Sequence, residues 1–408
     1  MRGKQPVVEA LRVRAVPEGS HDRLLEFLRM YRDAAQIVVN ELWNLNTKLS
    51  KKKLHELFYD RLRKLGLRAH HVKQIYTYAK SVVVSAKSNS GRRPVLRKLV
   101  ARIDKYDYKL DLENVALSLK LHNDYEVKLK LMTSEERTRK FRGWSNYELV
   151  VKYVDGELWV AVYFKKTVEY VEPRTVMAID LNFDNLALAV FTFSGRLVRV
   201  KKFRTPLRKA LTHRIWIERV QKRYPRSWRF IKGAKRAVER HGERIKDISW
   251  DYSHKVGDLI AELALEHRSL VVLEDLRRLR DSARKGREFN KKLALWFYRR
   301  VQSCIEYEVR ERGLRVVKVS PRGTSSKCPR CSSKLVDDGY RILRCRNCGF
   351  TGDRDVVATI NLNRKLDCSR CGGLGVPLNA PKPDENPSGM QGNKDEAMIS
   401  TYINLHES

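Results

Sequence analysis

No stretch of the chain runs to about 18 consecutive apolar residues, so the sequence offers no helix able to cross a bilayer. The first residues, MRGKQPVVEALRVRAV, lack the apolar core of a secretory signal peptide. Negative charge is scarce: 48 Asp and Glu stand against 84 Lys and Arg, a formal net charge of +36 over 408 residues. That excess argues against an ordinary small-molecule enzyme and suits a polyanionic partner. A membrane surface is the rival polyanion, but with no spanning segment the expectation is a soluble, cytoplasmic protein with no membrane partner. Cysteine is also sparse. Six of the seven fall in C-x-x-C pairs, which in a reducing compartment favours metal binding over disulfides. The seventh, Cys304, sits among helix-spaced apolar residues and is expected to be a buried core thiol.

What is present is organised around Ser320–Arg364, SPRGTSSKCPRCSSKLVDDGYRILRCRNCGFTGDRDVVATINLNR. Cys328 and Cys331 form one tight pair, Cys345 and Cys348 a second. Two such turns can aim four thiolates at one tetrahedral zinc, with Zn–S near about 2.3 Å. The connector Lys334–Arg344 is long enough for a hairpin. Such a site is closed and structural. Directly after it come Asp353, Arg354 and Asp355 and a helical run, as though the knuckle were inserted beside an acidic site.

Taken in order, Val7–Val16 reads as a strand, and Ser20 as the cap of a long amphipathic helix reaching about Leu49. Lys51–Gly66 and Ala69–Ser88 read as two more helices. From about Leu110 to Tyr170 the period becomes two, with turns at Asn123-Asp124 and Asp155-Gly156. After Glu172-Pro173 come Thr175–Asp180, LALAVFTF and LVRVKKF, three strands in a row. Pro206–Lys246 is basic and mostly helical, with breaks expected near Pro225 and Gly233, and Ile248–His267 is a separate amphipathic helix. Leu270–Glu274, helix Lys291–Arg312 and strand Leu314–Val319 follow.

Asp180 and Glu274 each end an apolar strand, and Asp355 opens a helix. Three strands followed by helix, strand, helix, strand and helix is the order of a ribonuclease-H-like fold, in which the first and fourth strands are neighbours. Their terminal acids then meet at one edge and the last helix brings the third. Three hard oxygen ligands suit Mg²⁺, and two such ions about 4 Å apart activate water for in-line displacement at phosphate. Acids also end strands and open helices for purely structural reasons, and spacing alone does not decide between the two.

The patterns AID180-L-N-x-x-N, VVLE274-DL, TSSKCPRC…CRNCGF and DRD355 resemble the TnpB family encoded by insertion sequences, relatives of the type V CRISPR effectors. The resemblance covers about residues 172–366, including Asp251–Lys255 and Trp296-Phe297; the amino-terminal half resembles the family in layout alone. It implies an α+β multidomain protein. Residues 1–19 and 105–171 form a wedge-like β-barrel, with helices 20–104 inserted for recognition. Residues 172–324 and 350–366 form a RuvC, ribonuclease-H-like nuclease domain, 325–349 the zinc ribbon, and 367–408 a disordered tail. It implies a prokaryotic, nucleoid-associated, monomeric nuclease guided by RNA from its mobile element. Such an enzyme cleaves complementary DNA, double- or single-stranded, next to a short motif by two-metal hydrolysis. Asp180, Glu274 and Asp355 become the catalytic acids and Mg²⁺ ligands, with Asp355 preferred over Asp353. The family's D-x-N-A-A reads here Asp355-Val356-Val357-Ala358-Thr359, so Val357 replaces the usual Asn. Two other readings stand beside this one: a nuclease-inactive or weakly active RNA-guided DNA-binding repressor, and a guide-independent transposition accessory factor.

Arg204–Lys246 interleaves Lys and Arg with Trp216, Tyr224, Trp228 and Phe230, a composition suited to phosphate contact and base stacking, or else to a solvated helix face with aromatics in the core. Lys48–Lys53, Arg92–Arg102 and Arg137–Arg142 are expected to line a channel for a guide–target duplex. Arg277–Lys292 reads as a lid or a solvated loop. Cys368 and Cys371 lack a partner pair, with His406 the one later candidate ligand; exposed, reduced thiols are expected there.

Overall fold

The computed structural model describes residues 3–19, 21–45, 49–89, 91–276, 286 and 295–366. Ser20, Lys48, Arg277–Lys292 apart from Gly286, Cys368, Cys371 and His406 lie outside the described residues. The protein is a mixed α+β chain of two compact units, Pro6–Thr167 and Val168–Ser408 with Met1–Gln5.

The first unit is a curled antiparallel sheet with three helices. Its strands are β1 (Lys4–Pro17), β2 (Leu99–Asp104), β3 (Tyr108–Asp111), β4 (Ala116–Lys120), β5 (Glu126–Met132), β6 (Ser145–Val154) and β7 (Glu157–Glu169), ordered β2-β6-β7-β1-β5-β4-β3. Alternation drives it: Val7, Leu11, Val13 and Ala15 of β1 are buried while their neighbours along the strand are mostly exposed. The order runs from β2 to β3, and the Tyr108 side chain of β3 reaches Asn146 of β6, so the seven-stranded sheet curls upon itself. Helices α1 (Asp22–Asn44), α2 (Lys51–Arg63) and α3 (Ala69–Ser88) share its core, with Phe27, Leu28 and Tyr31 fully buried. Two expectations need correction. Leu99–Asp104 belongs to the sheet rather than to the helices, because Ala101 and Ile103 alternate inward opposite β6. The first helix begins at Asp22 after His21, which makes no side-chain cap. A further helix, α4 (Glu135–Arg139), is capped by Ser134.

The second unit carries β8 (Thr175–Leu181), β9 (Asn185–Thr192), β10 (Leu197–Arg204), β11 (Ser269–Glu274) and β12 (Val316–Val319), ordered β10-β9-β8-β11-β12. β8 pairs antiparallel with β9 and parallel with β11, which pairs parallel with β12. Its central strands are buried on both faces, as their apolar runs require. One face (Met177, Ile179, Val271, Leu273) packs on α6 (Lys232–Glu266) and α7 (Tyr298–Glu311) through Val256, Ile260, Val301 and Ile305. The other (Val176, Ala178, Leu270, Val272) packs on α8 (Arg354–Arg364) through Leu362.

Helix α6 follows α5 (Leu207–Arg223) and is one uninterrupted rod of 35 residues. The break expected between Lys246 and Ile248 does not occur, and Gly233 stands at the helix start. Inside that rod Gly257 has a packing reason: a Cβ there would come within 3.0 Å of the Cys304 backbone and side chain on α7. Cys304 is buried at that crossing. Residues 326–353 form the ribbon, β13 (Leu335–Asp337), β14 (Ile342–Cys345) and β15 (Thr351–Asp353), an antiparallel three-stranded sheet.

Candidate active site and metal centre

The cysteine centre is built from two turns. Cys328 lies before β13, Cys345 ends β14, and Gly349, with φ +72°, lets the chain reverse after Cys348. Cys328 Sγ stands 3.5 Å from Cys348 Sγ, and Cys331 Sγ 3.4 Å from Cys345 Sγ. Among the described residues this quartet is the group of three or more ligating side chains whose ligand atoms all lie within 4.8 Å of one another. A tetrahedron of sulfurs about 2.3 Å from zinc has edges of about 3.8 Å, so the cluster fits a structural zinc ion with little adjustment. Beneath it Leu335, Leu343, Phe350 and Val357 form a small apolar core. Val357 of α8 is thus a packing residue that joins the ribbon to the helix, and a polar Asn in its place would be buried there.

The acids converge by strand register. Along β8 the residues facing α8 are Val176, Ala178 and then Asp180; along β11 they are Leu270, Val272 and then Glu274. Val272 pairs with Ala178 and Leu273 with Ile179, which brings Glu274 next to Asp180 at the strand ends. Asp353 is the N-cap of α8, its Oδ1 accepting from the backbone N–H groups of Asp355 and Val356 at 2.9 and 3.1 Å. Asp355 in the first turn then faces the same edge. Asn182 Nδ2 donates to Asp180 Oδ2 at 2.5 Å and to Asp355 Oδ1 at 3.2 Å. All three acids are buried.

Their electrostatics differ. Burial, and then the charge of Glu274, pushes Asp180 up to about 8. Burial also raises Glu274, against the opposing hydrogen bond from Thr324 Oγ1 at 2.9 Å. For Asp355 burial works in the same direction, but hydrogen bonds and positive charges outweigh it and hold the carboxyl below the usual range. Asn185 Nδ2 and Arg341 Nη1 each donate to its Oδ2 at 2.7 Å, and Lys202 Nζ lies 3.2 Å from that oxygen. Lys202 also reaches Asp353 Oδ1 at 2.7 Å. Asp180 and Glu274 therefore carry the buried, mutually repelling charge that a divalent cation would relieve, in residue type and charge a fit for a hard metal. Asp355 is different, because Lys202 and Arg341 already compensate its charge.

Sequence reasoning singled out the three acids and four cysteines but assigned no role to Asn182, Asn185, Lys202, Thr324 or Arg341. The two asparagines stand in the quoted A-I-D-L-N-x-x-N pattern, a signal available but not weighed. Lys202 and Thr324 carry no local mark, and Arg341 is one of many arginines. Asn361 anchors the segment bearing Thr324 by donating from Nδ2 to Thr324 O and Lys327 O, both at 2.8 Å.

On α5 and the chain leading to α6, Trp216 and Phe230 are exposed, Phe230 by 86%. Arg219 lies over the Trp216 ring at 4.9 Å, and Arg229 over Trp228 at 5.0 Å. Trp216 and Phe230 are therefore surface rings and not core residues, while Tyr224 and Trp228 are half-buried.

Comparison with known proteins agrees with this layout. The family model for the Cas12f1-like TNB domain matches residues 298–362, which span α7, β12, the ribbon and most of α8. The TnpB-like protein MJ0751 of Methanocaldococcus jannaschii is 29% identical over 241 residues, covering 59% of this chain and 86% of that protein. The TnpB-like protein MJ1635 of the same organism is 23% identical over 85% of this chain and 83% of its own length. The CRISPR-associated endodeoxyribonuclease Cas12f1 of Sulfoacidibacillus thermotolerans is 30% identical over 130 residues, 31% of this chain and 29% of that one. In fold, the protein chain in a cryo-EM structure of a Cas12f1–sgRNA–target DNA complex superposes with a TM-score of 0.61 at 12% identity, covering 88% of this chain and 99% of that chain. With a match to the Cas12f1-like TNB domain model and these relatives, the chain is TnpB-like in sequence and similar to the Cas12f1 proteins.

Proposed function

We propose that this protein is an RNA-guided, Mg²⁺-dependent DNA endonuclease that hydrolyses guide-complementary DNA next to a short motif. The observation that carries the reading is the meeting of Asp180, Glu274 and Asp355, from two strands and a helix far apart in sequence, at one sheet edge. The strand order β10-β9-β8-β11-β12, with β8 and β11 parallel, supports a ribonuclease-H-like reading of the unit. Asp180, Glu274 and Asp355 would hold Mg²⁺, which when bound supplies an activated water and charge stabilisation at the phosphate. Thr324 orients Glu274 and Asn185 orients Asp355. Lys202 and Arg341 would offer positive charge to a phosphate bound beside Asp355. The +36 charge and the exposed Trp216 and Phe230 suit an RNA and DNA partner. Structural zinc would hold the ribbon, and through Phe350 and Val357 the ribbon braces α8 and Asp355.

The compensation of Asp355 by Arg341 and Lys202 favours one second reading, a weakly active or inactive RNA-guided DNA-binding repressor. Protein purified with its co-purifying RNA, sequenced to identify the guide, is to be mixed with matched and mismatched DNA in Mg²⁺. Cutting of the matched DNA alone is expected. Binding without cutting would select the repressor, and equal cutting without matched RNA would select a guide-independent factor.

A further inference from the structure

Lys202 stands in one row with Asp180. Asp180 of β8 pairs with Ala187 of β9, and Ala187 pairs with Lys202 of β10. Paired residues point to the same face of a sheet, so the lysine leaves the sheet on the side that carries the acids. The two ends of the row are two strand spacings apart, about 10 Å. Ala187 between them is fully buried and has only a methyl group, so no bulky side chain in that row separates the lysine from the acids. The ammonium ends 2.7 Å from Asp353 Oδ1 and 3.2 Å from Asp355 Oδ2. Arg341 reaches the same Asp355 oxygen from the ribbon, at 2.7 Å. The two oxygens of Asp355 thus face different surroundings. Oδ1 is turned to Asp180, with the Asn182 amide shared between them. Oδ2 is turned to Lys202, Arg341 and Asn185. Asp180 and Glu274, in contrast, are held by neutral donors, the Asn182 amide and the Thr324 hydroxyl.

We propose that this edge holds one divalent ion, on the side of Asp180, Glu274 and Asp355 Oδ1, and that Lys202, seconded by Arg341, takes the place of a second. This rests on the reading of the acids as cation ligands, and it departs from the pair of ions that the family resemblance implies. With Asp180, Glu274, Asp353 and Asp355 all ionised, the ammonium and the guanidinium cancel two of the four negative charges. The two that remain equal the charge of one divalent ion. A second ion would bring an excess of positive charge before any phosphate arrives, and it would lie against an ammonium and a guanidinium that repel it. The lysine acts by its charge. It excludes the second ion, and from a fixed strand position it offers a phosphate the positive charge that this ion would have carried. A cation that belongs to the fold is always in place, so only one ion has to be captured from solution.

The test counts Mn²⁺ bound to the full chain, with its ribbon zinc retained and no nucleic acid, by electron paramagnetic resonance at saturating metal. Wild type and Lys202→Arg are expected to bind one ion at the acid edge, measured as the Mn²⁺ that Asp180→Ala loses. Lys202→Glu turns the counter-charge into a ligand and is expected to bind two, each broadening the other's signal by magnetic coupling. Thermal melts establish that each variant folds; if Lys202→Glu does not, Lys202→Ala with Arg341→Ala carries the comparison, with the same expected gain of one ion. Two ions in wild type overturn the proposal, as does a single ion in the folded variant that lacks the lysine charge. Asp180→Ala separates the two levels. If it binds as much Mn²⁺ as wild type, the metal reading of the acids fails and the proposal with it; if it loses two ions, the metal reading stands and the role of Lys202 alone fails.

Discussion

Two clusters of ligand-type side chains lie in the second unit, and they are assembled in opposite ways. The cysteines meet through two turns, with Cys331 and Cys345 only 14 residues apart, and their sulfurs are drawn together with few neighbours between them. Asp355 lies 173 residues from Asn182, and the acids meet only because a parallel strand pair has one register and a helix packs over its end. The first cluster stores its geometry in local spacing; the second stores it in a folded core. A metal should therefore form the first site and only occupy the second.

Loss of the ribbon metal is the largest break expected. Structural zinc in small domains contributes apparent binding free energies of about 10–16 kcal/mol at neutral pH, much of it folding energy. Cys345→Ser should lower the zinc content measured by elemental analysis and reduce thermal stability. Because Phe350 and Val357 share the ribbon core, it should also disturb α8 and the acids. An unchanged zinc stoichiometry would refute the ribbon assignment.

Next comes the acid site, where the effect should fall on chemistry and not on folding. Asp180→Asn removes the charge that burial and Glu274 already oppose. Cleavage should drop by at least about a hundredfold, the scale of losing one electrostatic contact to the reacting centre, while guide and target binding are retained. The contrast with Cys345→Ser is the point: one variant should lose stability first, the other activity alone. Retained cutting by Asp180→Asn would remove Asp180 from the site.

A smaller effect should appear where the two clusters touch. Val357 is 1% exposed and packs with Phe350 against the ribbon. Val357→Asn, which restores the family's usual residue, should cost about 1–3 kcal/mol by burying an amide in an apolar niche, read as a lower thermal midpoint. A neutral or stabilising result would show that the niche has polar partners to offer.

How much of this was legible in the sequence follows from the same contrast. Both C-x-x-C pairs and the short apolar runs of β8 and β11 are local, and they point to Cys328, Asp180 and Glu274 directly. The preference for Asp355 over Asp353 comes from the resemblance to the D-x-N-A-A pattern and not from a local signal; the capping role of Asp353 is visible only in the fold. What was not legible is whatever depends on non-local packing. Lys202 on β10 and Arg341 in the ribbon meet Asp355 only after the sheet and ribbon have formed. The strand Leu99–Asp104 was hidden because six alternating residues beside helices carry too little signal, and pairing with β6 decides the matter. The continuity of α6 past Lys246 was hidden by polar composition, which weakens apolar periodicity without breaking the helix.

The gentlest test uses pH and needs no substitution to begin. Asp180 titrates near 3.8 when unfolded and is pushed up to about 8 in the fold, with burial the main cause and Glu274 the next. A raised carboxyl binds its proton more tightly when folded. Its contribution to stability is therefore complete below about 3.8 and is lost as pH rises through about 8, because the folded state must then hold a buried charge. Without added divalent cation, thermal stability attributable to this group should decline across that window. Asp180→Asn should flatten that decline, and Mg²⁺ should restore stability at the alkaline end, where the carboxylate is charged and free to bind it. The ribbon should behave in the opposite sense, since thiolates must shed protons to hold zinc and its metal is released as pH falls. If wild type and Asp180→Asn follow the same pH profile, Asp180 carries no special burden in the fold, and the electrostatic difference between the two clusters is smaller than their geometry implies.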